Sequence, residues 1–154
     1  MNASMMQPAS PHGRHDSEFL MVVDDDPRVS DLLERVLVQE GYGTTLAKDG
    51  KAALEILQRG IVPSVILLDL MMPRMGGLEF VERLERDDTF CDIPIILMSG
   101  HAALARGNKV RNMHLLPKPF KPDELLRLVR TLGRQSFSRW VTPGVERMRI
   151  AGQR

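Results

Sequence analysis

Cysteine is nearly missing from this chain of 154 residues, with Cys91 the only one. A single thiol excludes an internal disulfide framework and suits a reducing compartment. Net charge is nearly missing too. The 21 Lys and Arg are balanced by 20 Asp and Glu, a formal charge of +1, so nothing draws the whole chain toward nucleic acid or an anionic membrane. No apolar run approaches the length needed to cross a bilayer. The N-terminal segment lacks the apolar centre of a signal peptide. These absences predict a cytoplasmic protein without a membrane partner. What is present is ordinary for a globular protein: 43% apolar and 27% charged residues, in a length that makes one domain with or without tails.

The pattern along the chain alternates between strand and helix. Residues 1–17 mix Pro, Ser, His, Gln and Gly without apolar period and read as a flexible tail. Phe19–Val23 reads as a short buried strand. Asp26 then suits a helix N-cap and Pro27 the first helical position, with Val29, Leu32, Leu33, Val36 and Leu37 on one face up to Gly41. Tyr42–Ala47 alternates as a second strand, with Tyr42, Thr44 and Leu46 on one side. Asp49-Gly50 opens a second helix through Ala53, Leu54 and Leu57. Val65–Leu68 is wholly apolar, the mark of a strand covered on both faces, and Asp69 ends it. Pro73 and Gly76-Gly77 break the chain before a third helix carrying Leu78, Val81 and Leu84. Ile95–Met98 is a fourth strand ending in Ser99-Gly100. His101–Asn112 predicts a short helix, and Met113–Leu116 a fifth strand leading to Lys118. Pro122 and Asp123 start a last helix with Leu125, Leu128, Val129 and Leu132 buried. Residues 134–154 show little periodicity and hold five arginines against one glutamate, a basic tail of net charge +4. The domain proper is expected over 18–133. Five strands alternating with five helices make a doubly wound parallel sheet.

Right-handed crossovers bring every strand's C-terminal end to one edge, where open α/β sheets bind ligands. That edge would gather Asp24 and Asp25, Asp69, Ser99 and Lys118. Three carboxylates in one cleft repel unless a cation sits among them. An all-oxygen set with few protein ligands suits Mg²⁺, and the lack of thiol or imidazole argues against zinc. A lysine and a hydroxyl facing Asp69 would hold a tetrahedral anion attached to it. Phosphoryl transfer to Asp69 as nucleophile is the chemistry such a set serves.

Val22-Val23-Asp24-Asp25-Asp26-Pro27, Leu68-Asp69-Leu70-Met71-Met72-Pro73-Arg74-Met75-Gly76-Gly77, Met98-Ser99-Gly100 and Lys118-Pro119-Phe120 together resemble the four signatures of the response-regulator receiver domain of two-component signalling. The resemblance covers about residues 18–133. It implies a flavodoxin-like sheet of order 2-1-3-4-5 and a phosphoryl group accepted on Asp69 from a sensor histidine kinase or a histidine phosphotransfer protein. Asp25 would bind Mg²⁺ directly, Asp24 through water, and the backbone carbonyl of Met71 would add a ligand beside Asp69. Ser99 and the Gly100 amide would hold phosphoryl oxygens, paired with Lys118. The protein would be no enzyme beyond promoting its own phosphorylation and dephosphorylation, and Ser99 with Leu115 would form the switch.

The sequence departs from the family at Leu115, where an aromatic residue is usual, and in the 19 positions from Ser99 to Lys118, a few fewer than the family usually has. The resemblance implies that Met71 and His101 stand at the two positions that set phosphoryl lifetime in the family. About twenty residues follow Leu132, so the expectation is a stand-alone receiver that signals through a downstream protein or relays phosphate, with a homodimer compatible. The alternatives are a haloacid-dehalogenase-like phosphatase using Asp24-x-Asp26, an adaptor working without phosphorylation, and nucleic-acid binding by the basic tail. The last lacks a groove-reading helix.

Overall fold

The computed structural model describes residues 18–100 and 111–140. Strands β1 (Phe19–Val23), β2 (Gly43–Ala47), β3 (Val65–Asp69), β4 (Ile95–Ser99) and β5 (Met113–Pro117) pair in parallel in the order β2-β1-β3-β4-β5. Helices α1 (Pro27–Gln39), α2 (Gly50–Gln58), α3 (Gly77–Glu85) and α4 (Pro122–Trp140) connect and flank them. This is the doubly wound order expected of the sequence.

Side chains alternate across each strand, so the sheet feeds two cores. Met21, Val23, Ile66, Leu68, Ile95 and Leu97 pack with α2 and α3 through Ala53, Leu57, Phe80, Val81 and Leu84. Leu20, Val22, Val65, Leu67, Ile96 and Met98 pack with α1 and α4 through Leu33, Leu37, Leu125, Val129 and Leu132. Every residue of β3 and β4 is buried, and all but the terminal Asp69 and Ser99 are apolar, which is why these strands read as apolar runs.

Several expectations change in detail. Four helices lie among the described residues rather than five. The helix expected over 101–112 falls on 101–110, outside the described residues, while Arg111 and Asn112 form a turn with Asn112 at φ 59°. Leu32, expected on the buried face of α1, is 62% exposed, and Leu46 on edge strand β2 is also exposed. Tyr42 precedes β2 instead of belonging to it, though it is buried. The polar-looking loop before β4 inserts Phe90 and Ile93 into the core. Helix α4 runs to Trp140, into the segment expected to show little periodicity.

Candidate functional site

The pairing register explains which residues meet. Val23 of β1 lies opposite Leu68 of β3, so Asp24 and Asp69, one step on, come level at the sheet's carboxyl edge. The Asp24 amide donates to the Ala47 carbonyl at 3.1 Å, which carries the β1–β2 ladder one residue beyond the strand. On the far side, the Lys118 amide donates to the Ser99 carbonyl at 2.9 Å, tying the ends of β4 and β5 together.

Asp24, Asp25 and Asp69 each offer a carboxylate oxygen, and the three oxygens lie within 4.8 Å of one another. Lys118 Nζ donates to Asp69 Oδ1 at 3.4 Å and stands 4.0 Å from Asp24 Oδ2. Asp25 is exposed, whereas Asp24 is only 3% accessible. Asp24 Oδ1 accepts from the Asp26 amide at 2.9 Å, but its buried Oδ2 has no hydrogen-bond partner. Burial therefore pushes the Asp24 carboxyl above its ordinary value. The Asp26 amide opposes this, the Asp69 charge adds to it, and Lys118 offsets part of it. A buried carboxylate oxygen without a donor, beside two further carboxylates, is what a hard divalent cation satisfies. The oxygen-only donor set fits Mg²⁺.

The third acid of the triplet is not in this cluster. Asp26 caps α1, accepting from the Arg28 amide at 3.0 Å and pairing with the Arg28 guanidinium at 3.1 Å. Those bonds hold its carboxyl below the usual range. An Asp24-x-Asp26 pair acting together on a phosphate ester would need Asp26 turned inward, and here it is engaged as a cap.

Ser99 is buried at the end of β4, and Gly100 follows it at the surface. Leu115 is half-buried and packs against the core on the α2–α3 side, while His114 is exposed. Met71 is 58% exposed. His101 lies outside the described residues. Beside the acids opens a cleft of about 510 Å³ lined by Asp25, Ser30, Asp31, Leu46, Lys48 and Ala52, among others.

Sequence reasoning missed two supports. The Ser30 hydroxyl donates to the Asp24 carbonyl at 3.4 Å, and Arg74 forms an ion pair with buried Asp49 at 2.9 Å. Ser30 carries a weak signal, a small polar residue on the buried face of an amphipathic helix. The Arg74–Asp49 pair joins two loops and carries none.

Residues 20–130 match the family model described as the response regulator receiver domain. The chain belongs to the response-regulator receiver family. Response regulator MprA of Mycobacterium leprae is 38% identical over 120 residues, covering 76% of this chain and 51% of that protein. The DNA-binding dual master transcriptional regulator RpaA of Synechocystis is 33% identical over 122 residues, 76% of this chain and 49% of that protein. This receiver chain thus spans about half the length of the curated relatives it matches. Among solved structures, the receiver domain of the Francisella response regulator 1452 superposes with a TM-score of 0.70 at 28% identity, covering 78% of this chain and 99% of that one. Response regulator TrrA of Thermotoga maritima, solved with Mg²⁺ and BeF, gives 0.67 at 29% identity, covering 75% and 98%. Phosphorylation on an aspartate is general to receivers, and the acid cluster here is compatible with the metal they bind. None of the helices among the described residues of this receiver is long and apolar enough to cross a membrane.

Proposed function

We propose that Asp69 accepts a phosphoryl group from the phosphohistidine of a sensor kinase or phosphotransfer protein, in a reaction that needs Mg²⁺. The supporting observation is the meeting of Asp24, Asp25 and Asp69 within 4.8 Å, with Lys118 3.4 Å from Asp69. Asp24, Asp25, Asp69 and the Met71 carbonyl would hold the ion. Bound there, it would neutralise charge on the phosphoryl oxygens during transfer.

The chain's own groups would do the rest. A carboxylate oxygen of Asp69 attacks phosphorus while the P–N bond to the donor imidazole breaks, and the imidazole leaves as the proton-bearing ring. Lys118 supplies a fixed positive charge to the oxygens of the new acyl phosphate. The Ser99 hydroxyl and the Gly100 amide lie at the neighbouring strand tip, suited to the same oxygens. Drawing Ser99 inward would let Leu115 repack, a switch by volume instead of by a hydroxyl.

The acting unit is read as residues 18–133, inside the cytoplasm, with the signal leaving through a protein partner or passing on as phosphate. RpaA is described as DNA-binding, so output to DNA through a region outside the matched part is a second route for this chain.

Acetyl phosphate with Mg²⁺ should label the wild-type chain, and labelling should vanish with chelator and in Asp69→Ala. Labelling that survives Asp69→Ala would refute the assignment. Steady hydrolysis of a small phosphate ester requiring Asp24 instead would point to a phosphohydrolase.

A further inference from the structure

One buried acid takes no part in the chemistry proposed above. Asp49 is buried with its side chain only 3% exposed, yet it sits at the start of α2, outside the acid cluster. Its Oδ1 accepts from the Ala52 amide at 2.8 Å, an ordinary N-cap. Its Oδ2 faces the Arg74 guanidinium at 2.9 Å. A cap needs one oxygen, so the second contact calls for another reason.

Arg74 lies in the loop from Asp69 to α3, and its backbone has φ 67°, a conformation that side-chain-bearing residues rarely adopt. Such a residue persists where its surroundings over-determine it, and those places cluster at functional sites. The surroundings here are tight. A Cβ on Gly50 would meet Met75 Sδ at 2.8 Å, so the residue after Asp49 packs directly on the residue after Arg74. At the base of the same loop, the Gly77 amide donates to the Leu70 carbonyl at 3.0 Å, and a Cβ on Gly77 would lie 2.6 Å from the Asp69 carbonyl oxygen. The loop is therefore fastened at its base to Asp69 and at its tip to Asp49.

Followed around, these links close a ring. Asp24 is bonded through its amide to Ala47, two residues before Asp49. Asp49 holds Arg74, and the loop from Arg74 returns through Met71 to Asp69. Asp69 stands level with Asp24 across the β1–β3 pairing. Breaking the Asp49–Arg74 link opens the ring on the side that carries the Met71 carbonyl.

We infer that Asp49 and Arg74 are a positioning pair that sets the Asp69–α3 loop for divalent-cation binding at the acid cluster. The inference rests on the proposed Mg²⁺ site but not on phosphoryl transfer. Neither residue would touch the ion, and both would act through the loop that would carry one of its ligands.

The test compares the wild-type chain with Arg74→Met, Asp49→Asn, the double variant and Arg74→Lys. Calorimetric titration with MgCl₂, without a phosphodonor, should show each single variant binding about tenfold more weakly, the low end of what outer partners of a metal site contribute. The double variant should be no weaker than either single one, since both remove one link. Arg74→Lys should recover most of the affinity. Amide hydrogen exchange over Leu70–Gly77, measured without metal, should quicken in the same variants. With acetyl phosphate, half-saturating Mg²⁺ should rise while the rate at saturating Mg²⁺ stays near that of the wild type.

Unchanged Mg²⁺ affinity in Arg74→Met, or losses that add in the double variant, would overturn the inference. Should Asp49→Asn fail to fold, Arg74→Met decides alone, because the Arg74 side chain is 62% exposed. If acetyl phosphate labels no residue at all, the proposed function falls while the calorimetric comparison still judges the pair.

Discussion

Two rows of side chains, two residues apart on the same strands and facing the same way, stand in opposite relations to water. Val22, Leu67 and Ile96 are neighbours in register on β1, β3 and β4, and all three are fully buried against α1 and α4. Two residues further along β1 and β3 come Asp24 and Asp69. The first row gains from leaving water, by about 1.5–3 kcal/mol for each large aliphatic side chain. The second contains Asp24, carried into the interior with an oxygen that nothing satisfies by a hydrogen bond. Stability thus comes from the length of the strands and reactivity from the acids at their carboxyl ends, just past the apolar row that packs against α1 and α4.

The comparison breaks most visibly in the apolar row. Leu67→Ala should destabilise the fold by about 2–5 kcal/mol, the range for truncating a fully buried leucine. A shift in the urea midpoint at unchanged slope would register it. A loss below about 1 kcal/mol would mean that the row tolerates a cavity it has no room to collapse.

In the acidic row the sign should reverse. With chelator present, Asp24→Asn should stabilise the fold by about 1–3 kcal/mol, the scale of one unsatisfied buried polar group. The amide can still accept from the Asp26 N–H and can turn its own donor toward Asp69. The pH dependence follows from the direction of the Asp24 shift. Its folded-state value is raised, so the folded form binds the proton more readily than the unfolded chain. The destabilisation is full above the raised value, fades as pH falls through it, and is gone below the ordinary value of 3.8. Asp26 runs the other way. Its lowered value gives stability that is present above 3.8 and lost as pH falls through the folded-state value. The advantage of Asp24→Asn in urea titrations should therefore shrink on acidification. An advantage that grew instead would contradict burial as the cause.

How much of this was legible in the sequence depends on how local the cause is. β3 and β4 read clearly because burial on both faces favours apolar residues along all but their last positions. The strand-tip residues read clearly because a βα crossover has one hand, so Asp24, Asp69, Ser99 and Lys118 had one edge to share. Leu46 is exposed because β2 is an edge strand, where alternation does not guarantee a covering layer. Phe90 and Ile93 hid in a segment dominated by Asp87, Asp88, Thr89 and Asp92. The Asp49–Arg74 pair was invisible, since nothing in either loop encodes the other's position. The buried state of Asp24 against the exposed Asp25 was equally hidden, because adjacent acids at a strand end look alike until the side-chain directions are fixed.

The finest form of the contrast lies within a single helix. Leu32 and Leu33 are adjacent on α1 and point roughly 100° apart. Leu33 is buried with Leu37, and Leu32 is 62% exposed at the margin of the stripe. Leu33→Ala should behave like the core row, whereas Leu32→Ala should move stability by no more than about 0.5 kcal/mol, as for surface positions generally. Leu32 adjoins Asp31, which lines the cleft beside the acids. A Leu32→Ala variant of unchanged stability that is labelled by acetyl phosphate at the wild-type rate, yet more slowly by a phosphorylated protein donor, would place that leucine in the contact with the donor. Equal slowing with both donors would mean instead that the change had reached the acids through α1.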